Sequence, residues 1–249
     1  MINLKNLEQI KRIRESCKLL AQMYFEIRPL VVEGISTLEL DEWATDFILK
    51  RGGKPAFRGY MGFPGTLCTS INEEVIHGIP GKRKLKEGDI VSLDCGINLG
   101  GYFSDAALTI GVGQIGIAEK QLLMATDQSL YKGIEAAITG NRIRDIGRAV
   151  SGHVKPYGYG VVHQFCGHAV GLHQHEDPQI PNYVGSGPSP RIVPGMVLAI
   201  EPMINMGKAE VKTLEDDWTV VTIDKKKSAH FEHTVAVLES GTEILTLLD

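Results

Sequence analysis

The chain has 249 residues, 43% hydrophobic and 22% charged, enough apolar material for the buried core of one globular domain. A formal net charge of −4 with no long Lys/Arg run gives little electrostatic support to a nucleic-acid or membrane-surface role. No apolar run approaches the ~20 residues of a bilayer span, the interleaved charges of Met1–Lys11 leave no signal-peptide core, and Cys17, Cys68, Cys95 and Cys166, widely spaced and without C-x-x-C, read as reduced thiols of a cytoplasmic protein.

From Leu7 to Ile27, apolar residues at Ile10, Ile13, Leu19, Leu20 and Tyr24 recur at helical spacing and predict a helix with one buried face. Ser36 followed by Glu39 has the form of a capping box and predicts a second helix, Leu38 to Lys50, stopped at Gly52–Gly53. Gly59–Gly65, rich in glycine and aromatics, reads as a loop. Ile90–Ile97 and Tyr102–Val112 read as strands joined through Asn98–Gly101. Ala118–Ile138 and Ile143–Val154 read as helices. A long loop is predicted from Pro156 to Pro194, then strands Val197–Ile204, Trp218–Ile223 and His230–Val237. No low-complexity linker divides this α/β (α+β) pattern, so residues 1–249 read as one domain.

A weak internal repeat cuts across these elements. Glu87–Asp94 and Pro194–Glu201 share one pattern, a glycine, a mostly apolar strand, then an acid, and Gly34 and Gly140 stand at nearly the same offset before helices. Coincidence is one account. The other is two related halves, roughly 1–115 and 116–249, each ending a buried strand in a carboxylate.

The acids at those strand ends need an explanation. Asp94 follows Ile90–Leu93, a run too apolar for a solvated edge, and Asp105 lies eleven residues on. A turn on Leu99–Gly100 would set the two directly opposite one another, with Cβ atoms ~5 Å apart. Like charges so placed repel and lose hydration, so either a proton or a cation must compensate. Glu201 stands inside Leu198–Met203, and Glu232 precedes the apolar alternation Val235–Val237. If the repeat brings all four carboxylates together, one proton is not enough, whereas a pair of divalent cations is. Singly, Asp105 and Glu232 read as ordinary salt-bridge partners or caps; jointly, the convergent site is the better account.

Of eight histidines, His168 sits in a glycine-flanked turn, Gly167–Gly171, that could present an imidazole. His168, His173 and His175 could suggest zinc, but no H-E-x-x-H occurs and the spacing suits no common helix-borne site. On residues alone His77 reads as a loop histidine, and His153, His163 and His233 as structural.

Together, Asn72–Pro80, the Asp94/Asp105 pair, Gly167–His168 with His175–Pro178, Gly195–Met203 and Phe231–Thr234 closely resemble the methionine aminopeptidases, in order and over nearly the whole chain from Gly34 to Val237. The resemblance implies the pita-bread fold: two pseudo-symmetric halves around a curved, mostly antiparallel sheet with helices outside. It implies Asp94, Asp105, His168, Glu201 and Glu232 as ligands of two divalent ions (Mn, Fe, Co or Zn), with Asp105 and Glu232 bridging, Asp94 completing one site and His168 with Glu201 the other. It implies Glu201 as proton shuttle, His175 as donor to the scissile carbonyl oxygen and His77 as a contact of the scissile amide. By position, Phe57, Tyr60, Phe63, Cys68, Gln174 and Trp218 would line the methionine pocket. The 33 residues from His168 to Glu201 leave no room for the type II insertion, and no zinc-finger extension precedes the match, so the pattern resembles the short bacterial type I form.

Ala169 stands where glycine usually follows the ligand histidine. Gln174 replaces a common Phe or Leu and would put an amide on the pocket wall. His230 replaces a frequent Gln and could add a donor near Glu232, and Phe57 is bulkier than usual. The implied substrates are N-terminal methionyl peptides and nascent chains with a small second residue, met in the cytoplasm, at the ribosome, by a monomer that contacts neither nucleic acid nor membrane. Two rivals share the fold. A proline-specific exopeptidase would carry an added N-terminal domain, and a non-catalytic binding module would have lost ligands that are all present here.

Overall fold

The computed structural model describes residues 1–248. Its helices follow the sequence closely. α1 (Leu7–Ile27) buries Ile10, Ile13, Cys17, Leu20, Tyr24 and Ile27 along one face, and its start is fixed by a capping box between Asn6 and Gln9. α2 (Thr37–Lys50) opens on the predicted Ser36/Glu39 box, with Glu39 accepting from the Ser36 N–H at 2.8 Å. α3 (Ile117–Ala136) and α4 (Ile143–Val154) pack against one another. No helix among the described residues is long and apolar enough to cross a membrane.

Inside the helices runs, among the described residues, a nine-stranded, wholly antiparallel sheet. Its middle is the hairpin Ile90–Leu99/Tyr102–Gly111, then Glu232–Leu238, Val197–Ile200 and Gly167–Ala169. Alternation along Ile90–Leu99 sends Val91, Leu93, Cys95 and Ile97 into the core under α1 and α2, which leaves Ser92, Asp94 and Gly96 on the opposite face. A second core, with Leu198, Ile200, Val235 and Val237, lies beneath α3 and α4. The arrangement implied by the resemblance, helices outside a curled antiparallel sheet, is present.

Three predictions need correction. The hairpin turns on Gly100–Gly101, both at positive φ (60° and 91°), so Asp94 faces Ala107 and Asp105 faces Gly96. Two residues at positive φ make the tight turn whose twist matches the strands, and only glycine adopts that conformation without cost. The slip is two residues, an even number, so both aspartates keep the same face, diagonal rather than opposed.

The stretch 156–194 is not one loop: Gly160–Val161, Gly167–Ala169 and Glu176–Ile180 are strands. Their Gly, His, Glu, Asp and Pro residues carry little strand propensity, and pairing to neighbours holds them extended. Finally, two predicted long strands break at one level. Val197–Ile200 and Met203–Asn205 are separated by Glu201–Pro202, and Ser228–His230 and Glu232–Leu238 by Phe231. Pro202 has no N–H for a ladder, and Met203 pairs with His230 in a second, three-stranded sheet.

Candidate active site

The sheet register places the acids in two adjacent rows. Across one row Asp94 faces Ala107, which faces Glu232, with Glu201 one residue beyond the Ile200–His233 pair. In the next row Gly96 faces Asp105, whose backbone N–H donates to Thr234 Oγ1 at 3.2 Å; Thr234 faces Ala199, and Ala199 faces His168. Each functional side chain therefore alternates with a small one, Ala107, Gly96, Thr234 or Ala199. The small residues leave a hollow, and the hollow is a cavity of about 360 Å³ whose lining includes Asp94, Asp105, His168, Glu201 and Glu232.

The hollow concentrates negative charge out of water. Asp94, Asp105 and Glu232 are buried, and Asp94 Oδ1, Asp105 Oδ1 and Glu232 Oε1 have no hydrogen-bond partner among the described residues. Burial first, and then the neighbouring acids, push the carboxyls of Asp105 and Glu232 far above the usual range. Burial does the same to Glu201. Asp94 is pushed up to about 7, chiefly by burial, with Glu201 adding to it and His230 opposing. Burial pulls His168 down to about 3, so its ring is neutral. Its Nδ1 lies 3.0 Å from the Ala169 carbonyl, and an N–H there turns the Nε2 lone pair toward Asp105 Oδ2 and Glu201 Oε1, each at 3.6 Å. Orphaned carboxylate oxygens beside a neutral imidazole are the donor set of a divalent-cation site. One atom each from Asp105, His168 and Glu232 lies within 4.8 Å of the others. The residues fit the metals implied by the resemblance.

The other end of the cavity is apolar. Phe57, Phe63 and Cys68 are buried together against Trp218, and the Phe63 and Trp218 rings meet edge-on at 5.0 Å. Cys68 is the strand neighbour of Asp94, so the sulfur wall begins where the acids end. Tyr60 lines the mouth and stacks on His175 at 5.2 Å, with its hydroxyl 3.1 Å from His175 Nδ1. His175 also lies 4.2 Å, ring to ring, from His168. His77 holds a backbone φ of 59°, strained for a residue with a β-carbon, and its ring meets Phe165 and Trp218 edge-on. The strain is maintained by Gly78, whose N–H donates to Ser70 Oγ and whose Cα lies too close to Thr69 for any Cβ. Burial lowers His77 to about 4 and also lowers His175, so both imidazoles are neutral at neutral pH.

Gln174, expected on the pocket wall, is elsewhere. It is buried behind the acids and donates from Nε2 to Asp105 Oδ2 at 2.5 Å, in space that a Cβ on Gly96 would fill. An amide is drawn to a buried carboxylate more strongly than to an apolar wall. His230, expected near Glu232, sits with Nε2 3.6 Å from Glu201 Oε2. Sequence reasoning missed Phe165, Cys166, Met61 and Gln179, which also line the cavity. Phe165 and Cys166 immediately precede Gly167–His168, and that adjacency was the available signal. Gln179 gives none, because the Glu-Asp-Pro-Gln strand that carries it has little strand propensity of its own.

The model of metallopeptidase family M24 matches residues 11–239. A methionine aminopeptidase of Clostridium perfringens is 50% identical over 248 residues, covering 100% of both chains. Methionine aminopeptidase 1 of Bacillus subtilis is 50% identical over 246 residues, covering 99% of each. The solved methionine aminopeptidase of Rickettsia prowazekii superposes with a TM-score of 0.97 at 37% identity, covering 99% of this chain and 100% of that one. The fold anticipated from the motifs is the pita-bread fold these neighbours share.

Proposed function

This chain belongs to metallopeptidase family M24 and, within it, to the methionine aminopeptidases, and from that footing we propose how its residues divide the work of removing an N-terminal methionine. Asp94, Asp105, His168, Glu201 and Glu232 would hold two divalent ions drawn from Mn, Fe, Co or Zn. When bound, such ions supply Lewis acidity and a water of lowered pKa. The observation that supports this assignment is the set of three buried, unpartnered carboxylate oxygens at one end of the cavity.

Glu201 accepts the proton of the attacking water and returns it to the leaving amine. His175, neutral and at the cavity mouth, donates to the carbonyl oxygen as negative charge builds on it. His77 hydrogen-bonds the scissile amide. Phe57, Phe63, Cys68 and Trp218 hold the methionine side chain, whose flexible thioether suits an aromatic and sulfur-lined wall. The acids close the inner end of that pocket, so a chain terminus reaches them and an internal residue does not. The 249 residues act as one catalytic unit, a monomer, on nascent cytoplasmic chains with a small second residue.

Cleavage of Met-Ala-Ser, Met-Lys and Xaa-Pro peptides across the four metals, with and without chelator, tests this reading. Release of methionine from Met-Ala-Ser that chelator abolishes is expected. Preferential cleavage before proline, or no metal bound at saturating Mn²⁺, contradicts it.

A further inference from the structure

The first five residues of the chain run beneath the turn that carries His175. Lys5 donates its backbone N–H to the Gly195 carbonyl, and its side chain, 0% exposed, passes under Gly171. A Cβ on Gly171 would lie 3.2 Å from Lys5 Cε and 2.5 Å from Ile13 Cδ1, so the lysine stem occupies the space a side chain would need. Lys5 Nζ donates at 2.8 Å to Glu176 Oε2, which also accepts from Asn3 Nδ2 at 3.2 Å. The other oxygen, Glu176 Oε1, accepts from the backbone N–H groups of Leu172 at 2.7 Å and His173 at 3.0 Å. One carboxylate, itself 2% exposed, thus ties the N-terminal segment to the start of the turn while adjoining His175 in sequence.

A buried ion pair is seldom a net stabiliser, because desolvation offsets the attraction. What it fixes well is position. His175 is an exposed residue whose ring is held by stacking on Tyr60, by the Tyr60 hydroxyl 3.1 Å from its Nδ1 and by contact with His168, and none of these fixes the backbone that carries it. Burial raises the Glu176 carboxyl, but the Lys5 bond and the His173 and Leu172 N–H groups outweigh it and leave the group below its ordinary range, ionised at neutral pH.

We propose that Lys5 is a positioning residue for His175: by neutralising Glu176 it lets that carboxylate clamp the Leu172–His173 backbone and so sets the imidazole over the cavity mouth. The proposal rests on the reading of His175 as donor to the carbonyl oxygen, and the two fail separately. Turnover of Met-Ala-Ser, melting temperature and bound metal are measured for Lys5→Met, His175→Ala, Lys5→Met with His175→Ala, and Lys5→Met with Glu176→Met.

Lys5→Met should lower kcat about tenfold or more, with KM and metal content unchanged. In the His175→Ala background it should cost nothing further, because it acts through that ring. The variant without either buried charge keeps both volumes but has no acceptor for the Leu172 and His173 N–H groups, so it should recover melting temperature relative to Lys5→Met while kcat stays low. This last variant also carries the test should Lys5→Met alone fail to fold. A wild-type kcat in Lys5→Met, an equal loss in both backgrounds, or kcat recovering along with melting temperature overturns the proposal. Wild-type turnover in His175→Ala removes the His175 role, and the proposal with it.

Discussion

The two ends of the cavity are built differently. The acidic end rests mainly on paired strands: Asp94, Asp105, His168 and Glu232 project from them, each beside a small neighbour, with positions set by ladder hydrogen bonds, and Glu201 stands just past Val197–Ile200. The apolar end comes mostly from loops and short segments around Phe57, Tyr60, Phe63 and Trp218, held by ring contacts. Charges packed together out of water tolerate little displacement, and a continuous sheet supplies that rigidity. A pocket for a flexible side chain needs only shape and polarity, which loops provide.

The contrast can be broken most sharply at Glu201. Glu201→Gln keeps the volume and removes the proton acceptor, so turnover should fall by about 10³-fold or more while the fold, read by circular dichroism, stays intact. Retained turnover would detach the acidic end from the chemistry. His175→Ala comes next: the expected loss is about 10²–10³-fold in kcat with bound metal unchanged, since its ring lies at the mouth rather than among the acids. Loss of metal together with activity would merge the two ends.

The pH dependence of the metal-free protein sharpens the comparison further. Burial raises Asp94 to about 7 in the folded state, above its unfolded value. The folded form then holds the proton more tightly, so this contribution to stability is full below the unfolded pKa and lost as pH rises through about 7. Asp94→Asn removes the titration, and the metal-free variant should gain about 2 kcal/mol on the wild type between pH 5 and pH 8 in urea unfolding. Parallel curves would show that the folded cavity does not raise Asp94. The smallest effect belongs to the apolar end, where Trp218→Ala should raise KM about tenfold and leave kcat within a few-fold. A large fall in kcat there would give the wall a catalytic share.

The sequence made some parts of this legible and hid others. The Ser36/Glu39 box placed α2 because capping is local, and the acids at the ends of apolar strands were visible because burial of charge is anomalous wherever it occurs. The register of the Asp94–Asp105 hairpin differs by two residues from the sequence expectation, since it depends on which pair of residues turns, and Gly100–Gly101 prevails over Leu99–Gly100 by its positive φ angles. The short strands between Gly160 and Ile180 were invisible, because partners distant in sequence stabilise them. Gln174 was misplaced for a related reason: its partner, Asp105, lies on another strand.

The central claim is that Asp94, Asp105, His168, Glu201 and Glu232 jointly hold a pair of divalent cations. Anomalous scattering from a crystal of the Mn²⁺-loaded protein, collected at the metal edge, tests it directly. Two peaks within bonding distance of those five side chains are predicted; a cavity without a peak, with metal bound elsewhere on the chain, would contradict it.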